Sequence, residues 1–335
     1  MAISMTKEEE NISEDNWSDT SDKRFLIYCP ECGKENYPLN RKCSECDSTL
    51  VSFATLSNNR MNSFDDILTQ ENMTLISQTE IPNEFYEYVL DSIVEQSLKT
   101  HLNDDMTILE KILLICNNYV KIRNNDQIGT FGLYDYNTII VNPTYSQSLQ
   151  SATLIKNLSV HIHLKILESF FMYIFNVPSN VYVESFIDYC RYSSAFENFV
   201  QKYYSSKIET HFTPDEYDNY EDVEQIYFSN LFEEKEFKKG LFIGNTYAQE
   251  MIRIFEQIFN KQIKEQLSTQ FKNDKEESTD AVRRFECDKV MNRDEMILTM
   301  KNNMIDTIKY LMDNEEARKK LNEIKKVFEQ LEASN

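Results

Sequence analysis

The sequence predicts a mainly α-helical chain with a small β component, and three observations predict it. Turn-forming residues are scarce, with 5 glycines and 6 prolines in 335 residues. That is too few for a sandwich, a barrel or a glycine-rich phosphate loop. Apolar and aromatic residues are plentiful, including 21 phenylalanines and 19 tyrosines. A sizeable core can therefore form, and the length suggests two or three domains. Most apolar positions also recur at helical intervals. Residues 130–142 break that period in favour of β-branched and aromatic side chains.

In chain order, residues 1–22 are polar and acidic and are expected to be a disordered tail. Two Cys-x-x-Cys pairs follow, Cys29 with Cys32 and Cys43 with Cys46, ten residues apart. Zn²⁺ favours four soft ligands in a tetrahedron, and each tight turn aims two sulfurs at one point. Gly33 suits the backbone turn beneath the first pair. The expected ribbon domain spans 23–52, and about residues 27–52 of it resemble the zinc-ribbon family. The resemblance implies one structural Zn²⁺ per chain, held by Cys29, Cys32, Cys43 and Cys46. Residues 53–80 read as a linker with at most a short helix near 64–68.

The next segment, 81–240, begins with two helical patterns. Phe85, Tyr88, Val89, Ile93 and Leu98 form the first; Ile108, Leu109, Ile112, Leu113, Cys116 and Val120 form the second. Residues 130–142 predict one β-hairpin turning at Asp135 to Asn137. Pro143 ends it, and Ser146 or Ser148 is expected to cap a long helix to about Phe175. Its buried face is Ile155, Leu158, Ile162, Ile166, Phe170 and Ile174. Pro178 and Ser179 restart a helix through Cys190, and Ser194 to Glu197 has the form of a capping box opening another.

Residues 213–236 hold nine carboxylates interleaved with Tyr217, Tyr220, Tyr227, Phe228 and Phe232. They form a candidate partner surface. In the C-terminal helical region, 241–335, Gly244 and Asn245 precede a helix carrying Tyr247, Met251, Phe255, Ile258, Phe259, Ile263 and Leu267. After a polar gap at 272–280, two or three more helices run to Leu331.

A short strand with an Asn-Pro exit, followed by a long helix opening Ser-Ala-Thr-Leu-Ile, resembles the core of zincin-type metallopeptidases. In that family the helix carries His-Glu-x-x-His. Histidines at i and i+4 share a helix face and bind one zinc, and the glutamate activates the metal-bound water. Here Lys156, Asn157 and Val160 stand at those three positions. The resemblance covers about residues 82–225 and implies a zincin-like domain that has lost its catalytic residues. It places Glu197 near a third-ligand position, where a capping role is the alternative. Phe212 to Tyr220 looks like a segment that accompanies such a domain.

A competing register uses His161 and His163 with Glu168, Asp188 and Glu197. Residues two apart on a helix point about 200° from each other, so this pair cannot chelate one ion.

The formal net charge of −21 opposes a phosphate backbone. Basic residues near the cysteines (Lys23, Arg24, Lys34, Arg41, Lys42) are offset by Asp22, Glu31, Glu35, Glu45 and Asp47, which argues against nucleic-acid binding. No run resembles a signal peptide, and nothing approaches the roughly 20 apolar residues of a membrane span. Cys116, Cys190 and Cys287 read as buried thiols of a cytoplasmic protein. Only 4 histidines are present, leaving little acid–base chemistry near neutral pH.

The expected function is therefore a non-catalytic, zinc-binding interaction or regulatory protein with a protein partner. One alternative is a metallopeptidase with non-standard ligands. The other is a zinc-ribbon adaptor for nucleic acid. The charged faces of the C-terminal helices, with Lys319, Lys320, Lys325 and Lys326, leave the oligomeric state open.

Overall fold

A computed structural model of the chain describes residues 61–98, 100–214, 217, 220–276 and 285–333, together with 27–28, 32, 34–36, 43 and 45–46. The expected tail 1–22 and residues 53–60 of the expected linker lie outside the described residues, as do Gly33 and most of the cysteine-rich segment.

Among the described residues the chain is mainly helical with two small sheets. In the N-terminal segment β1 (Ile27–Tyr28) pairs antiparallel with β2 (Glu35–Asn36). Then come α1 (Phe64–Ile67), α2 (Gln70–Gln78), α3 (Asn83–Leu98), α4 (Ile108–Cys116), β3 (Lys121–Asn124), β4 (Gly132–Asp135) and β5 (Thr138–Val141). The long α5 (Gln147–Phe175) is followed by α6 (Val181–Cys190), α7 (Ala195–Phe212), α8 (Glu221–Phe228) and α9 (Glu234–Ile258). Last are α10 (Lys261–Asp274), α11 (Arg293–Asp313) and α12 (Glu315–Ala333).

The axis of the molecule is α5. Ser146 starts it by accepting a hydrogen bond from the Leu149 amide, and Asn176, in the left-handed conformation at φ 50°, stops it. All six residues of its expected apolar face are buried. The rest of α5 is covered too, by α2, α3, α4, α6, α7, α10 and the sheet. Buried polar groups turn back to their own helix at two positions: Asn157 donates to the Thr153 carbonyl (2.9 Å) and Ser159 to that of Lys156 (2.6 Å). Contrary to the sequence expectation about apolar runs, α5 is long and apolar enough to cross a membrane by length and composition. Most of its apolar window, 78%, is buried inside the fold, as befits a core helix.

The hairpin forms as expected. Tyr136 and Asn137 both have positive φ, 43° and 54°, as a type I′ turn requires. Gly132 pairs with Val141, where a Cβ would come within 2.6 Å of both the Ile140 oxygen and the Thr153 methyl on α5. The glycine thus lets the hairpin lie against the central helix. A third strand, β3, joins in parallel on the other side of β5 and makes a mixed sheet of order β3-β5-β4. Its Lys-Ile-Arg-Asn sequence is largely exposed and carries no apolar alternation, because an edge strand needs little burial and its charges discourage further pairing.

Three expectations are corrected. Part of the expected linker folds as α1 and α2, which bury Ile67, Met73 and Ile76 in a core continuous from Met61 to Phe328. The helix expected after Gly244 begins at Glu234 and passes through both Gly240 and Gly244, then breaks before Asn260, which caps α10. A Cβ on Gly240 would run into the Phe199 ring, and one on Gly244 would lie 2.7 Å from Tyr203 Cδ1. The glycines allow close approach of α9 to α7 instead of ending the helix. Finally, Cys116 and Cys190 are buried but Cys287 is partly exposed, since it lies in an irregular segment rather than a helix.

Candidate functional site

The cysteine cluster is built on the β1–β2 pair. Cys29, outside the described residues, and Cys32 fall between its strands. Cys43 and Cys46 come from the following segment. The Sγ atoms of Cys32, Cys43 and Cys46 lie within 4.8 Å of one another, and Cys32 and Cys43 are 3.5 Å apart. Four thiolates at the Zn–S distance would sit about 3.8 Å from each other, so the spacing fits one tetrahedral ion. The Glu45 amide donates to Cys43 Sγ at 3.3 Å. Amide donors of this kind offset the negative charge of ligating thiolates. Cys43 is buried, while Cys32 and Cys46 are exposed. These three cysteines can hold a metal ion. Among the described residues no second group of three His, Cys, Asp or Glu side chains converges in this way.

On α5, the three residues of the expected zincin-like register, Lys156, Asn157 and Val160, have these surroundings. The Lys156 ammonium lies 3.4 Å from the buried Glu209 carboxylate of α7 and 4.0 Å from Asp222 at the start of α8. Lys202 reaches the same Asp222 at 3.0 Å. Asn157 is buried and bonded to its own helix, and Val160 is core. The Lys156 ammonium thus links three helices, α5, α7 and α8.

The alternative ligand set does not converge. His161 faces the sheet: the Tyr134 hydroxyl donates to Asn137 Oδ1 (3.0 Å) and lies 3.1 Å from His161 Nδ1. His163 faces the other way, its ring 5.1 Å from that of Tyr204 and 4.9 Å from that of Tyr247. Burial pushes its pKa down to about 4, so it stays neutral. Glu168 pairs with Lys165 at 2.6 Å and also accepts from Ser179. Asp188 pairs with Arg191 at 3.1 Å. Burial raises the Asp188 pKa while the Arg191 charge opposes the shift. Glu197 heads α7, where its amide donates to Ser194 Oγ (3.1 Å), one of the two bonds that the expected capping box requires. Burial raises its carboxyl pKa, partly offset by Asn303. Of this set, His163 and Glu197 line one cavity together.

Sequence reasoning missed Glu209, Asp222 and Arg191. The Asp188–Arg191 spacing of three was a legible helical ion-pair signal. Glu209 gave none, because its partner lies 53 positions earlier on another helix. Comparison with protein-family models, with curated proteins and with solved structures finds no match to this chain.

Proposed function

We propose that this chain is a non-catalytic zinc-binding interaction protein: a ribbon held by one Zn²⁺, attached to a helical domain that binds a basic protein segment. The observation that carries the reading is the convergence of the Cys32, Cys43 and Cys46 sulfurs at a spacing that fits Zn²⁺. Cys29 is the fourth ligand in this reading. The ion contributes folding energy to a segment too short for a core of its own.

The helical part supports a binding role over a catalytic one. In the zincin-like register Lys156 repels a metal, Asn157 cannot act as a base, and Val160 has no lone pair. On the surface, Phe228 at the end of α8 and Leu231 in the turn to α9 are 64% and 57% exposed. Glu221 and Glu224 precede them in the chain and Glu233, Glu234 and Glu236 follow. A basic, apolar segment complements that corner. A second copy of this chain does not, since each carries −21.

The test is metal analysis of the purified full chain. One zinc per chain, lost in Cys29→Ser and Cys43→Ser, is the expected result. A metal that survives both changes and disappears in His163→Ala or Glu197→Ala would overturn the reading in favour of a metallopeptidase-like site.

A further inference from the structure

Three buried polar atoms on three different segments have no hydrogen-bond partner in the described structure: His163 Nδ1 on α5, Arg191 Nη2 just after α6, and Asn303 Oδ1 on α11. All three residues line one cavity of about 20 Å³, lined also by Cys190, Glu197, Tyr204 and Tyr247. One water needs roughly 10–15 Å³, so the space matches a single water in size. The other polar groups of these residues are already engaged. Arg191 Nε donates to Asp188 Oδ1 (3.1 Å), and its guanidinium lies over the rings of Tyr134 and Tyr192. Asn303 Nδ2 donates to the Cys190 carbonyl (3.5 Å).

We infer that this cavity is a binding site for one internal water molecule, which accepts from Arg191 Nη2 and donates to His163 Nδ1 and Asn303 Oδ1. The chemistry of the guanidinium and the amide oxygen supports those roles. A guanidinium only donates and an amide oxygen only accepts, so a water balances its two hydrogens if the imidazole nitrogen also accepts. His163 must then be the neutral tautomer with its proton on Nε2. The permanent Arg191 charge excludes a cation, and Asn303 Oδ1 with the Glu197 carboxylate disfavours an anion. The water ties the central helix to α11 and fixes the guanidinium that stacks on the hairpin residue Tyr134.

Two measurements on the full chain decide it. A high-resolution crystal structure is expected to show one water about 2.7–3.2 Å from all three atoms. Nitrogen-15 spectra of the histidine rings are expected to place the His163 proton on Nε2. A dry cavity, or a His163 ring protonated on Nδ1, would overturn the assignment. The Asn303→Leu variant should lose the water peak while keeping its zinc, which separates this site from the cysteine cluster. If that variant does not fold, the tautomer of the unaltered protein still decides.

Discussion

The ammonium of Lys156 on α5 lies 3.4 Å from the carboxylate of Glu209 on α7, and that carboxylate is 1% exposed. A buried carboxylate is tolerated only with a partner, so Lys156→Met removes the cation that balances it. The expected loss is about 3 kcal/mol in urea unfolding, the lower end for breaking a buried pair because the lysine is partly solvated. Adding Glu209→Gln to Lys156→Met should recover part of it. Equal stability of the single variant and the parent would contradict a structural role for the pair.

Close helix packing should make two glycines irreplaceable. Gly240→Ala and Gly244→Ala gain helix propensity of about 1 kcal/mol. The new methyl groups meet Phe199 and Tyr203, where overpacking costs about 1–3 kcal/mol. Gly240→Ala is the clearer case, since the Phe199 ring is stacked on Phe237 at 4.7 Å and on Phe232 at 5.5 Å and has little room to move. Thermal unfolding should show a lower midpoint for both variants.

His163 predicts a pH dependence. Its folded pKa of about 4 lies below the ordinary 6.5, so the unfolded chain binds a proton first as pH falls. The stability it contributes is intact above pH 6.5 and declines as pH drops toward 4, by up to about 3 kcal/mol. The groups that share its cavity are Glu197, Arg191, Cys190, Tyr204 and Tyr247. Glu197 has a raised pKa, so its proton uptake opposes part of this loss. His163→Phe should flatten the slope of unfolding free energy against pH between 6.5 and 4, and an unchanged slope would count against it.

Surface and core separate at the α8–α9 corner. Phe228→Ser combined with Leu231→Ser should leave unfolding within about 0.5 kcal/mol of the parent, since both side chains are largely in water. The same pair of changes should abolish binding of a helical Leu/Lys model peptide measured by fluorescence anisotropy. Undiminished binding would show that charge alone, and not this corner, holds the peptide.

The sequence by itself determined the periodic and the capped parts of this protein. The α5 start at Ser146, its apolar face, the hairpin turn and the Ser194 cap follow from local steric and hydrogen-bonding rules, and so they could be read in order. The paired cysteines announced a thiol cluster that can hold a metal ion, because ligand chemistry favours that spacing, and Cys32, Cys43 and Cys46 do converge. Only the tertiary structure decided the rest. Gly240 and Gly244 look like helix breakers until α7 is seen packed against them. The polar β3 becomes a strand because β5 offers it a free edge. Lys156 finds Glu209, and His163, Arg191 and Asn303 meet at one cavity, through contacts between residues distant in the chain. Such contacts depend on how whole helices pack, and no local pattern records them.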